Sequence, residues 1–125
     1  MTSAARILLG TTSFILALSS VAHALAFKRA LSAVTASGLA PFYGGSFLAL
    51  WLIDSANCIV LAGLFAFIVA YPLAATRPVV LALALLPTAG AILIYRFLGN
   101  FYAGHLLLAA GLAALIAASV LPSAS

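Results

Sequence analysis

The sequence predicts an all-α membrane protein, with four transmembrane helices in an up-and-down bundle. Three observations lead there. The 125 residues are 67% hydrophobic and only 5% charged, with a mean hydropathy of +1.36, so the chain cannot present a wettable surface on all sides and must use lipid as solvent. Its apolar residues fall in long continuous runs without period-two alternation, which selects helices over strands. The breaks between runs hold prolines, glycines, basic residues and tyrosines, the residues that end spans at a membrane interface.

The first span is read over about residues 5–27 and closes on Lys28 and Arg29, the densest charge in the chain. Arg6, the apolar stretch and Ala22-His23-Ala24 also fit a cleavable signal peptide, but the run from Ile7 to Phe27 is longer than such a segment needs. It is read as a retained helix. A loop of small and polar residues, Ala30 to Pro41, follows. The second span covers 43–71 and ends at Tyr71-Pro72. After a turn containing Arg77 and Pro78, the third covers 79–98. Pro87 at its centre removes one backbone hydrogen bond and predicts a kink. Gly99-Asn100 makes the next turn, and the fourth span covers 103–121, ending at Pro122. Residues 1–125 are therefore expected to form one four-helix transmembrane domain.

With four crossings, Lys28, Arg29 and Arg96 lie on one face of the membrane, and Arg6 and Arg77 lie on the other with both termini. The excess of one basic residue favours the first face as cytoplasmic, and so even a count also fits a dual-topology protein whose copies insert both ways and pair antiparallel. The net charge of +4 does not indicate nucleic-acid binding, because the basic residues form no stripe. They are topology anchors.

Function is sought at the single acidic residue, Asp54, in the middle of the second run. About ten residues into an apolar helix is about 15 Å along its axis, close to the centre of a hydrocarbon core about 30 Å thick. An ionisable side chain at that depth is costly and is a functional candidate by default. Trp51 and Asn57 stand three residues before and after it and Cys58 four after, so all share one helix face. His23, Tyr95, Arg96 and His105 come from the ends of the other spans at one membrane face, and are expected to ring a vestibule with Asp54 as its floor. The alternative is structural: Arg96 reaches inward and pairs with Asp54, fixing helix positions. Small residues at four-residue spacing, Ala62-Ala66-Ala70 and Ala110-Ala114-Ala118, allow close helix packing. Phosphate-loop, paired-cysteine and paired-carboxylate motifs are absent from the sequence, and no cofactor or metal is expected.

Tyr43-Gly44-Gly45 opening one apolar helix, Tyr95-Arg96 ending the next, and Asn100 to Gly104 before the last together resemble a family of small bacterial four-helix membrane proteins of unknown function. The resemblance implies the architecture alone, and no activity. The expected location of the chain is the bacterial inner membrane, as a multi-pass protein. Small multidrug-resistance transporters have a similar length and helix number, but their essential glutamate is in the first helix, and here that helix holds no acid.

Three functions fit these residues. A small transporter, or an ion- or proton-coupled ligand-binding protein, would use Asp54 as the exchanging group. A membrane enzyme isomerising or cyclising a lipophilic substrate would use it as acid or base. An accessory subunit would use it only for packing. The expected partners are the bilayer, a small cationic or lipophilic ligand, and either further copies of the chain or a larger membrane complex.

Overall fold

The computed structural model describes residues 1–122. They form α1 (Ser3–Leu25), α2 (Phe27–Ala36), α3 (Pro41–Ala70), α4 (Arg77–Leu98) and α5 (Tyr102–Ser119), with one 3-10 turn at Pro72–Ala74. All but α2 are long and apolar enough to cross a bilayer, so the chain is a multi-pass membrane protein. Local chemistry sets the ends. Thr2 caps α1 by accepting the Ala5 amide on its Oγ1 at 3.1 Å, and α3 and α4 each carry a proline in the first turn, where a missing amide costs nothing. Pro87 lies inside α4, which continues through it; its ring leaves the Leu83 carbonyl without an amide partner.

The segment read as a loop from Ala30 is instead helical through Ala36. Its charged and small residues never make a long apolar run, so a search for spans passes over it. Nothing in it breaks a helix before Gly38, whose φ of +68° ends the segment. α2 follows α1 after Ala26 alone and turns its buried Ala30 and half-buried Val34 inward, with Val34 against Gly44 at the start of α3. Lys28 and Arg29 stay exposed.

The spanning helices are antiparallel in sequence order. Ser13 Oγ donates to the Ala62 carbonyl at 2.8 Å and Ser20 Oγ to the Ser55 carbonyl at 2.7 Å, so stepping forward along α1 steps backward along α3. Thr12 Oγ1 donates across to the Ala110 carbonyl of α5 at 3.2 Å. Such hydroxyl-to-carbonyl bonds join transmembrane helices where apolar contact with a neighbour is no better than contact with lipid. Ala110, Ala114 and Ala118 are fully buried in the α5 seams, whereas on α3 only Ala62 is buried and Ala66 and Ala70 are exposed.

One edge of the bundle is open. α1 packs on α3 and on α5, and α5 packs on α4, but α3 and α4 scarcely touch. The closed part of the core, with Ala5, Leu9, Phe65, Ile68, Val80 and Leu121, lies towards the end bearing the N-terminus and the α3–α4 connection. Away from that end, α3 and α4 leave a cleft floored by α1 and α5.

Candidate functional site

Two cavities occupy the cleft. One, of about 440 Å³, is lined by His23 of α1, Phe47, Trp51 and Asp54 of α3, Leu93 and Leu98 of α4, and the start of α5. The other, of about 270 Å³, is lined by Leu16, Asn57, Leu61, Leu64, Leu83 and Leu86. Asp54, Cys58, Gly90 and Leu107 border both. Asp54 is thus at the waist of the cleft, with an aromatic chamber towards α2 and an aliphatic chamber towards mid-membrane.

His23 is in the last turn of α1, and the antiparallel register of α1 and α3 brings it opposite the Trp51–Asp54 turn. Its Nδ1 is 3.0 Å from Asp54 Oδ2. The Trp51 indole Nε1–H donates to the His23 backbone carbonyl at 2.9 Å, and the two rings meet edge to face with centroids 4.1 Å apart. Phe47, one turn earlier on α3, stacks obliquely on Trp51 at 5.8 Å. The Nδ1–H of His23 therefore points at the carboxylate, while Nε2 is enclosed and has no hydrogen-bond partner. A bare imidazole lone pair is tolerated in an apolar enclosure more cheaply than an unpaired N–H, which favours this tautomer.

The carboxyl is only half used. The Asp54 side chain is 51% exposed against 26% for His23, and the exposed part faces the cleft. His23–Asp54 is the one ion pair among the described residues. Arg96 does not reach Asp54; its guanidinium lies 5.7 Å from the ring of the adjacent Phe97, on the exposed end of α4. Tyr95 and His105 form a separate pair, Tyr95 Oη to His105 Nδ1 at 2.7 Å, which latches α4 to α5 and lines neither cavity. Asn57 lines the aliphatic chamber one turn below Asp54. Of the residues picked from the sequence, the structure gathers His23, Trp51, Asp54 and Asn57 along the cleft and leaves Tyr95, Arg96 and His105 outside it. Among the described residues, no three His, Cys, Asp or Glu side chains converge as a metal site would require.

The chain matches no family model, no curated protein and no solved structure. The site offers one carboxylate with a free face, in a chamber whose walls are otherwise mostly aromatic and aliphatic.

The sequence pointed to neither the α3–α4 opening nor Gly90. Gly90 had a readable signal, a glycine in the middle of an apolar span, where it costs helix stability and marks close approach. Here it borders both chambers, and a Cβ on it would come within 3.0 Å of Leu107.

Proposed function

We propose that this protein is a small transporter that binds a lipophilic cation in the α3–α4 cleft and exchanges it for a proton, with Asp54 as the anchor. The supporting observation is the half-exposed carboxyl of Asp54, held on one side by His23 at 3.0 Å and open on the other to an apolar cavity. In such a cavity a carboxylate meets little competition from water, so a diffuse cation with an apolar shell gains both the charge interaction and aromatic contact with Trp51. His23 and the ligand compete for one carboxylate. That competition supplies the exchange: a proton on the pair disfavours the cation, and the bound cation displaces the proton.

Acid–base catalysis fits less well. A carboxylate that orients a histidine normally leaves the far nitrogen to act on substrate, but Nε2 of His23 is shut away from the cleft.

The test is binding of tetraphenylphosphonium to the reconstituted protein, read by equilibrium dialysis and by the fluorescence of Trp51, the only tryptophan in the chain. Saturable binding that disappears in Asp54→Asn, with the variant still helical and monodisperse, is the expected result. Equal binding by wild type and variant would sink the proposal.

A further inference from the structure

The shape and polarity of the cleft point to a narrower class of ligand, and this step rests on the cation-binding reading above. We propose that the natural ligand is a single-chain amphiphile with an ammonium head, taken sideways from the bilayer between α3 and α4.

Polarity along the cleft runs the way a membrane amphiphile lies. His23, Trp51 and Asp54 are on the side of α2, whose exposed Lys28 and Arg29 mark the interface. The second chamber extends from Asp54 towards mid-membrane between Leu61 and Leu64 of α3 and Leu83 and Leu86 of α4. An amphiphile moving in from the lipid therefore keeps its orientation, with its head stopping at the carboxylate and its chain staying at hydrocarbon depth. The way in is the missing α3–α4 contact, which spares the ligand any passage through water. Because α3 and α4 are separated there, no packed interface has to break for it to pass.

Size sets the number of chains. The aliphatic chamber, about 270 Å³, holds about nine groups the size of a water molecule at about 30 Å³ each, and a methylene has similar bulk. That suits one alkyl chain of medium length and not the paired chains of a bilayer lipid. Charge sets the head. Asp54 is the only acid in the sequence, no lysine or arginine lines either chamber, and the one basic group there, His23, is already turned to Asp54 at 3.0 Å, so an anionic head would meet the carboxylate with no free cation to offset the repulsion. An ammonium supplies three donors, enough to engage the free carboxylate oxygen while competing with His23 for the carboxylate's charge.

The experiment uses the full chain in phosphatidylcholine bilayers with dodecylamine carrying a photoactivatable diazirine at the chain end, its adducts mapped by peptide mass spectrometry. Adducts should concentrate on residues 60–64 of α3 and 83–87 of α4. Unlabelled dodecylamine should suppress them at a membrane mole fraction at least tenfold below that needed with dodecanol, which has the same chain and no charge. This head-group comparison is made in wild-type protein and does not depend on any variant folding; in Asp54→Asn the tenfold preference should vanish. Labelling spread over bilayer-facing positions such as Phe14, Ile92 and Ile116, or equal competition by amine and alcohol, overturns the proposal. If tetraphenylphosphonium still binds through Asp54 in either case, the cation site stands and only the single-chain assignment falls. Loss of both removes the site itself.

Discussion

His23 is held by α3 twice: its imidazole Nδ1 meets Asp54 Oδ2 at 3.0 Å, and its backbone carbonyl accepts the Trp51 indole N–H at 2.9 Å. Trp51 and Asp54 are one turn apart on α3, so a single residue near the end of α1 is clasped from both sides. The clasp fixes the side chains that would face a ligand, and it makes His23 the competitor any ligand has to displace or share with.

Removing that competitor should tighten cation binding. A hydrogen bond to a charged group is worth about 1.5–3 kcal/mol, and releasing part of it accounts for roughly a tenfold change at about 1.4 kcal/mol per decade. His23→Ala is expected to bind tetraphenylphosphonium several-fold to tenfold more tightly than wild type, while Asp54→Asn loses binding. A titration in which His23→Ala binds more weakly would mean that His23 helps hold the ligand.

The same competition fixes the sign of the pH dependence. A proton taken up by the pair either neutralises the carboxylate or places a positive charge beside it, and both oppose a cation. Affinity should therefore rise with pH, by up to tenfold per unit where one proton is displaced, and the slope should be absent in Asp54→Asn. Dialysis of the cation across a pH series measures it. An affinity that falls as pH rises would contradict proton–cation exchange.

Trp51 can be separated into its ring and its N–H. Trp51→Phe keeps an aromatic face against His23 but leaves the His23 carbonyl without the indole donor. The expected cost is about 1 kcal/mol in resistance to denaturing detergent, with the cation bound less tightly because a phenyl ring offers it a weaker aromatic face than indole. Trp51→Phe that matches wild type in both measurements would show that the indole N–H is dispensable.

How much of this was readable from the sequence depends on how much contrast each feature carried. The four spans stood out because lipid demands long apolar runs, and Asp54 stood out because it is the only acid. α2 did not, since nothing in Phe27–Ala36 is long or apolar enough to signal a span. The vestibule of Arg96, Tyr95 and His105 around Asp54 failed for a different reason. Depth along a helix can be counted from sequence, but direction around it cannot when the helix is apolar on every side. In a soluble bundle the polar face shows which side is out; α3 and α5 have no such face, so neither the open α3–α4 edge nor the turning of His105 towards Tyr95 left a mark. His23 was legible as a polar residue at the end of a span, and only the antiparallel register set by Ser13–Ala62 and Ser20–Ser55 identified its partner.

Those two serine bonds make their own prediction. Ser20 is buried and donates at 2.7 Å to the Ser55 carbonyl directly below the clasp, whereas the half-buried Ser13 acts nearer the closed end. Interhelical bonds of this type are worth about 0.6 kcal/mol on average and up to about 1.7 kcal/mol. Ser20→Ala and Ser13→Ala should each cost that order in detergent-unfolding stability, but only Ser20→Ala should also weaken cation binding. Equal effects of the two on binding would argue against a local role for Ser20.

The sharpest packing test is at the α4–α5 seam, where Gly111 faces Thr88. A Cβ on residue 111 would collide with Thr88 Oγ1 and approach the Thr88 backbone nitrogen to 3.2 Å. The hydroxyl cannot simply swing away, because it donates to the Ala84 carbonyl at 2.8 Å and a β-branched side chain has few rotamers to choose from in a helix. Gly111→Ala should therefore push the helices apart and cost about 1–3 kcal/mol, the range for overpacked cores. Thr88→Ala in the same chain removes the hydroxyl but not the backbone nitrogen, so the double variant should recover part of the loss and not all of it. Unfolding of the four proteins in denaturing detergent closes the cycle. If Gly111→Ala is as stable as wild type, α4 and α5 are not packed as closely as the fold requires. Full rescue would mean that the side chain alone, and not the backbone, sets their distance.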